Sequence, residues 1–484
     1  MAQQEKVHLI SLGCPKNRVD SEVMLGQMRA AGYEHTTSPE DADVIVVNTC
    51  GFIDAAKEES IDTILEMEDY KANGRCQKLV VTGCLSQRYA PDLAKEIPSV
   101  DHFLGTGNFQ EIAQVLGATE QREMPATGIR SLPILKDHPR LRGANKLVPY
   151  RYTERVDGKE IYIPDPTYQL NSKSPRLPTQ ASYSQYLKIS EGCSNTCAFC
   201  IIPKLRGPQR SRTIADIVEE AWRLREAGAV ELNLIAQDLC AFGRDRDDGE
   251  SLGRLLRELN RVGEESQGPL WIRCLYAYPK GLTDEVIKVM GESQYILPYL
   301  DMPLQHISDR ILRAMRRGKG GDATWQLLRK LRQRIPELTL RTTFITGLPG
   351  ETEADFGELC RLVEELRFEQ MGVFSYSPEA DTPAADFADQ VPRELADNRR
   401  ARLLAIQQDI SRGYQESLHG KTLEVLVEGV SDETDLLLQG RHKGQAPEID
   451  GITLINDGQA TVGQVVKVQI EDSSDYDLVG GIVD

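Results

Sequence analysis

The chain has 484 residues, which at ~150 residues per domain corresponds to about three domains. Lys and Arg number 57 against 74 Asp and Glu, a net charge of −17. That balance argues against wrapping of bare nucleic acid, which needs clusters of Lys and Arg, and suits a basic partner. Ordinary hydrophobic (40%) and charged (27%) content excludes disorder, and ten cysteines are too few for a disulfide scaffold in a chain this long.

The opening residues Met1–Lys6 lack the apolar region of a secretory signal, and no apolar run approaches the ~20 residues of a membrane helix. The expectation is a cytoplasmic protein with no membrane partner, in a compartment where thiols stay reduced. Residues 1–125 predict an α/β domain with a parallel sheet. Its strands are Val7–Leu12, Val44–Val47 and Leu79–Val81, and its helices Asp20–Ala31 and Ala55–Tyr70. Residues 126–182 break the pattern. Seven prolines fall between Pro133 and Pro178, and residues 134–180 hold nine basic against five acidic side chains. This segment reads as an interdomain linker or insertion, a solvated loop with a short hairpin around Glu160–Ile163.

From 183 to 415 the alternation resumes. Strands at Tyr186–Ser190, Glu231–Ala236, Trp271–Ala277, Leu297–Met302, Leu338–Ile345 and Gln370–Tyr376 predict a partial (β/α)6 barrel, closed off by a long helix Arg393–Tyr414. Residues 416–484 read as a small antiparallel β-barrel of the OB-like size class, with strands Thr422–Gly429 and Gln464–Ile470. This last segment carries 14 acidic and 4 basic residues, a net of −10.

Cys193, Cys197 and Cys200 form CxxxCxxC directly after the first barrel strand. Three thiolates in this spacing hold three irons of a cubane and leave the fourth open. A zinc knuckle would want a fourth Cys or His, and none lies within thirty residues. Cys14, Cys50 and Cys84 each lie just past the carboxyl end of an expected strand, where open α/β sheets form a crevice. Gly13, Gly51 and Gly83 flank them and would permit close backbone approach. This set reads as a second three-cysteine cluster site. Cys76, Cys240, Cys274 and Cys360 have no such pattern and read as small hydrophobes, Cys240 the least securely because it follows a barrel strand.

CxxxCxxC at the first strand of a partial barrel resembles the radical S-adenosylmethionine (SAM) superfamily. That resemblance implies that the open iron chelates SAM and that an electron splits SAM into methionine and a 5′-deoxyadenosyl radical. Phe199 matches the family position near the adenine, Gln237 with Asp238 a position near SAM, and Gly347, Pro349 and Gly350 a turn beside the nucleoside. Together the two cysteine sets resemble the methylthiotransferases over nearly the whole chain: N-terminal cluster domain, radical SAM barrel, C-terminal TRAM barrel. Leu9–Glu22, Asp301–Ser308, Gly440-Arg441 and Ala446–Gly451 are similar to the RimO branch, which modifies a ribosomal protein, more than to the tRNA-modifying MiaB branch.

The resemblance implies two [4Fe-4S] clusters, a reducing electron donor, and transfer of a methylthio group to the β-carbon of an aspartate of ribosomal protein S-twelve of the small subunit. The alternative is the same chemistry on a tRNA adenosine, and RNA contact is disfavoured by the acidic terminal barrel. A non-catalytic iron–sulfur protein is the reading from another class. Arg206-Gly207 and Arg210-Ser211-Arg212 resemble the family segment after the cluster and read either as substrate or SAM contacts or as a solvated basic loop, and Arg313, Arg316, Arg317 and Lys319 as a solvated helix end. No side chain is required as a general base.

Overall fold

The structure, a computed structural model, describes residues 4–117, 149–318 and 320–483. Residues 118–125 of the expected N-terminal domain, 126–148 of the expected linker, and Lys319 lie outside the described residues. The chain divides into two compact units: 1–179 with 191–196 and 200–210, and the remaining residues.

In the first unit, β1 (Lys6–Ser11), β2 (Glu34–His35), β3 (Val44–Thr49), β4 (Lys78–Gly83) and β5 (His102–Phe103) form a wholly parallel sheet in the order β2-β1-β3-β4-β5. Every residue of β3 is buried, as expected of a strand covered on both faces. From β1 the chain passes outward to β2 and then returns to β3 on the other side. The carboxyl ends of β1 and β3 therefore flank the topological switch point, where such sheets bind ligands.

Helix α1 (Pro15–Ala30) starts five residues before its expected start at Asp20. Pro15, whose φ is preset for a first turn, opens it directly after Cys14. The early turns were hidden from a hydrophobicity reading because their buried residues, Val19 apart, are polar: Lys16, Asn17, Asp20, Ser21 and Glu22. Helices α2 (Asp54–Asn73) and α3 (Cys84–Glu96) follow β3 and β4.

The segment expected as a solvated loop is partly core. Strands β6 (Tyr152–Val156) and β7 (Lys159–Ile163) pair as a hairpin around Asp157-Gly158, whose φ values of 48° and 86° fit a type I′ turn. Val156, Ile161 and Ile163 join the apolar core formed by Val81, Leu93 and Phe103. Further on, the buried Glu22 carboxylate accepts from Arg176 Nε at 2.7 Å and from Thr179 N at 2.9 Å. The linker reading fails for these residues because their partners are distant in sequence, 154 and 157 positions for the two Glu22 contacts.

In the second unit, β8 (Ser184–Lys188), β9 (Glu231–Ile235), β10 (Trp271–Cys274), β11 (Ile296–Asp301), β12 (Thr339–Thr346) and β13 (Gln370–Ser375) form one parallel sheet in sequence order. Helices α4 (Ile214–Glu226), α5 (Leu252–Glu265), α6 (Asp284–Glu292), α7 (Gly321–Arg334), α8 (Glu353–Leu366) and α9 (Arg393–Glu416) cover it. Leu232, Leu234, Ile272 and Leu300 pack in the core under the helices, and the alternate residues Glu231, Asn233, Arg273 and Tyr299 are buried on the other face.

The terminal strands β14 (Thr422–Ser431), β15 (Thr434–His442), β16 (Thr453–Asp457), β17 (Val465–Ser473) and β18 (Leu478–Val483) close into a barrel. Four pairings are antiparallel, and β16 with β18 runs parallel, which departs from the purely antiparallel expectation. A closed ring of five strands cannot alternate direction at every pair.

Buried charges lock this barrel to the six-stranded sheet. Glu231 accepts from Arg273 Nη2 at 2.9 Å, Arg441 Nη2 at 2.7 Å and Ser184 Oγ at 2.7 Å. Asp450 accepts from Tyr299 Oη at 2.7 Å and Arg341 Nη1 at 2.8 Å.

Candidate metal centre and cofactor site

Cys14 stands between β1 and α1, Cys50 follows β3 directly, and Cys84 opens α3 directly after β4. Cys14 is exposed, Cys50 half-buried and Cys84 buried. The Cys84 thiol is raised to about 12, chiefly by burial, with Arg206 pulling it down and Cys50 and Cys14 adding to the rise. Cys50 is likewise raised by burial, then by Cys14, and lowered by Arg206. The three thiols and the Arg206 guanidinium thus lie within electrostatic range of one another.

Two local features bring them together. Gly13 has φ +84°, and a Cβ there would lie 2.8 Å from Cys50 Cβ and 3.0 Å from its Sγ; a Cβ on Gly51 would lie 2.8 Å from Leu85 N. Only glycine permits this approach of the cysteine loops. Asn17 pins the same loops: its Nδ2 donates to Leu12 O at 2.7 Å and to Asn48 O and Thr49 O at 3.3 Å.

Arg206 completes the arrangement. Its Nη1 donates to Asp20 Oδ2 at 2.8 Å and Glu191 Oε1 at 3.1 Å, and its Nη2 to Asn17 Oδ1 at 3.0 Å, all buried. The solvated-loop reading of Arg206 is therefore overturned. Arg210 donates to the carbonyls of Pro208 and Tyr168, and Arg212 pairs with Asp216 at 2.6 Å, so this basic run is spent on internal contacts.

Cys193 and Cys197 are buried and Cys200 half-buried. Cys193 N donates to Gly207 O at 3.0 Å. In the second unit, the segment 197–199 is stitched by Ala198 N to Met315 O and by Ala384 N to Ala198 O, both at 2.9 Å. Phe199 packs with Leu348, Ile311, Met315 and Tyr376, so the aromatic ring and the Gly347–Gly350 turn share one apolar cluster.

The remaining cofactor candidates divide. Gln237 is half-buried just past β9, beside the buried Asp238. Pro349 is buried and Gly350, at φ +79°, donates its N–H to Asp389 O. A Cβ on Gly347 would stand 2.3 Å from Ala396 Cβ, so contact with α9 by itself requires glycine there. Thr352 caps α8 in a capping box with Asp355. Cys76, Cys240 and Cys274 are buried in the apolar cores, and Cys360 packs beside one.

Among the described residues no three His, Cys, Asp or Glu side chains are arranged to hold a single metal ion. The donor chemistry of each set, three cysteines, fits an iron–sulfur cluster, in which each thiolate binds a different iron. Sequence reading left Arg206 open between contact and solvated loop, and missed Asn17 and, in the second unit, Arg317, whose Nη1 lies 3.5 Å from Cys197 Sγ. Arg317 is thus not part of a solvated helix end.

Comparison with known proteins agrees with this division. Residues 6–105 match the family described as uncharacterized protein family UPF0004, residues 187–363 the radical SAM superfamily, and residues 420–483 the TRAM domain. A protein of Anaeromyxobacter sp. (strain K) named ribosomal protein uS12 methylthiotransferase RimO is 51% identical over 478 residues, covering 99% of this chain and 93% of its own. One of the same name from Syntrophotalea carbinolica is 48% identical over 482 residues, covering 100% and 98%. Among solved structures, the radical SAM methyltransferase TsrM from Kitasatospora setae is similar in fold, with TM-score 0.54 at 15% identity over 79% of this chain and 74% of that one.

Proposed function

We infer the function from membership: this chain belongs to the RimO family of ribosomal protein uS12 methylthiotransferases, and it is a radical SAM enzyme that transfers a methylthio group to uS12. The acceptor is the β-carbon of an aspartate. The observation that carries this reading is near-50% identity over essentially the full chain. Both relatives are named for action on uS12, which speaks against the tRNA alternative.

Two cubane clusters serve the reaction. Cys193, Cys197 and Cys200 hold the one that binds SAM, and Cys14, Cys50 and Cys84 the auxiliary one. Bound there, the clusters would supply the electron that splits SAM and the sulfur to be transferred. The chain's own residues do the rest. Asn17 fixes the exits of β1 and β3, Arg206 offsets thiolate charge with its own charge held by Asp20 and Glu191, and the exposed side at Cys14 admits substrate. Phe199, Gln237 and the Gly347–Pro349–Gly350 turn line the SAM site. Among the described residues no helix is long and apolar enough to cross a membrane. The protein works in the cytoplasm, with a low-potential electron donor and a basic ribosomal protein as partners, and the acidic terminal barrel faces that substrate.

Mass spectrometry of uS12 and of tRNA hydrolysates from cells lacking the gene tests this reading. The expected result is loss of the methylthio group from uS12 with tRNA unchanged; loss from tRNA alone overturns it. Reconstituted protein should carry about eight irons. A C14A/C50A/C84A variant should keep SAM cleavage and lose thiolation, and retained thiolation would refute the auxiliary role.

A further inference from the structure

Beyond the ligands themselves, the second unit carries a cation built onto one of them. The helix Asp309–Ala314 ends with Arg316 in the left-handed region at φ +53°. Arg316 N donates to Arg313 O at 3.1 Å and Arg317 N to Leu312 O at 2.8 Å, the paired bonds of a Schellman ending. This turn sends the Arg317 side chain back over Tyr278, with the guanidinium carbon 4.1 Å from the ring centroid. Nη1 lies 3.5 Å from Cys197 Sγ, and Nη2 donates to Pro303 O. Gly318 N donates to Tyr278 Oη at 2.9 Å, and Met315 O receives Ala198 N. Residues 315, 317 and 318 therefore all engage Cys197, its neighbour or the tyrosine beneath.

The contrast with Arg206 defines the role. Two buried carboxylates, Asp20 and Glu191, match the charge of Arg206. Among the described residues Arg317 forms no direct ion pair with a carboxylate, the buried Asp238 acting on it only from a longer range, and its buried Nε has no hydrogen-bond partner. Its positive charge lies against one sulfur and one ring, with the buried Asp238 also within electrostatic range. A donor to a ligating sulfur draws electron density from the iron and favours the reduced state.

We propose that Arg317 is the positioning residue of the SAM-binding cluster: its donor orients the Cys197 sulfur and raises the reduction potential of the cluster that Cys197 helps to bind. This rests on the reading of Cys193, Cys197 and Cys200 as ligands. The step concerned is a one-electron reduction of the cluster from 2+ to 1+, with the electron taken from dithionite in the assay and no proton or atom exchanged.

The test uses the full chain carrying C14A/C50A/C84A, so that only one cluster assembles, with potentials read by EPR-monitored titration in the absence of SAM. R317Q should shift the midpoint to more negative values and lose iron to a chelator several-fold faster. R317K should recover part of the potential, because the charge returns, but not the chelator resistance, because the planar fork does not. Should R317Q fold poorly, R317K and Y278F still read the two effects. A parental midpoint in R317Q at equal iron content overturns the proposal, as does a loss of SAM affinity with the potential unchanged. C197S separates the underlying reading: it should abolish the cluster, and a full complement of iron in C197S would overturn the ligand assignment itself.

Discussion

The lock between the terminal barrel and the six-stranded sheet yields a stability prediction. Glu231→Gln keeps the shape of the side chain and removes the anion that Arg273 and Arg441 share. Both guanidiniums are essentially fully buried. Arg441 retains Glu428 at 2.8 Å, whereas Arg273 keeps only the Lys443 carbonyl and the face of Tyr299. Removing one partner of a buried pair costs about 3–5 kcal/mol. At roughly 2 °C per kcal/mol for a unit of this size, the melting temperature should fall by about 6–10 °C. The two guanidiniums hold the Glu231 carboxyl well below the usual carboxylate range. Its contribution is therefore complete above the unfolded value near 4.5 and fades as pH falls below it. Melting of wild type and E231Q from pH 8 to pH 4 should show a constant gap down to about pH 5 and a narrowing gap below. A fall under 2 °C at pH 7.5, or a gap independent of pH down to 4, would refute the view that this carboxylate holds the two domains together.

Other perturbations read other parts of the molecule. His442 is buried beside Arg273 and Arg441, and burial followed by those two charges pulls it down to about 3. A lowered histidine favours the native state above the unfolded value of 6.5 and loses that advantage as pH falls toward 3; at pH 5 the loss is about 2 kcal/mol. His442→Gln should flatten the urea-unfolding midpoint between pH 6.5 and 5, and parallel curves for the two proteins would contradict this. Gly13→Ala would drive a methyl into Cys50, so reconstituted iron should fall from about eight to about four per chain with SAM cleavage retained; full iron loading would show that the loops can separate without cost.

What the sequence disclosed follows from the range of the interactions. The exits of β1, β3 and β4 were legible because an apolar run ending in Gly and Cys is a local signal. The helix α1 was legible only from Asp20 onward, since its first turn buries Asn17 and Asp20, whose partner Arg206 lies 186 residues beyond Asp20. Arginines were misread for the same reason. Near its neighbours in sequence, Arg317 belongs to a basic cluster, and only the fold brings it to Cys197, 120 residues earlier. The extended stretch Glu160–Ile163 was a local cue to the hairpin, but its docking against Val81, Leu93 and Phe103 was not legible, because those partners are distant in sequence. At Gly347 the sequence offered a cofactor reason, and the fold adds a second one, the close approach of Ala396.

The charge of the terminal barrel also changes meaning once placed. Its net −10 is not a uniform surface property. Glu428 and Asp450 are consumed inside by Arg441 and Arg341, and Asp475 is paired with Arg412. Asp432, Glu433 and Asp435 remain exposed at the β14–β15 turn, beside the exposed Val430 and Leu436. A knuckle of acid flanked by apolar side chains is suited to a basic protein segment rather than to RNA. Reversing the three acids to lysine should lower kcat/KM for uS12 about tenfold at low salt, chiefly through slower capture, and the deficit should shrink as ionic strength rises. SAM cleavage without uS12 should be unchanged, because none of the three residues touches the cysteine sites. An unchanged kcat/KM with the same salt dependence would mean that the acidic count served folding alone, and would remove the electrostatic argument for a ribosomal-protein substrate while leaving the sequence kinship untouched.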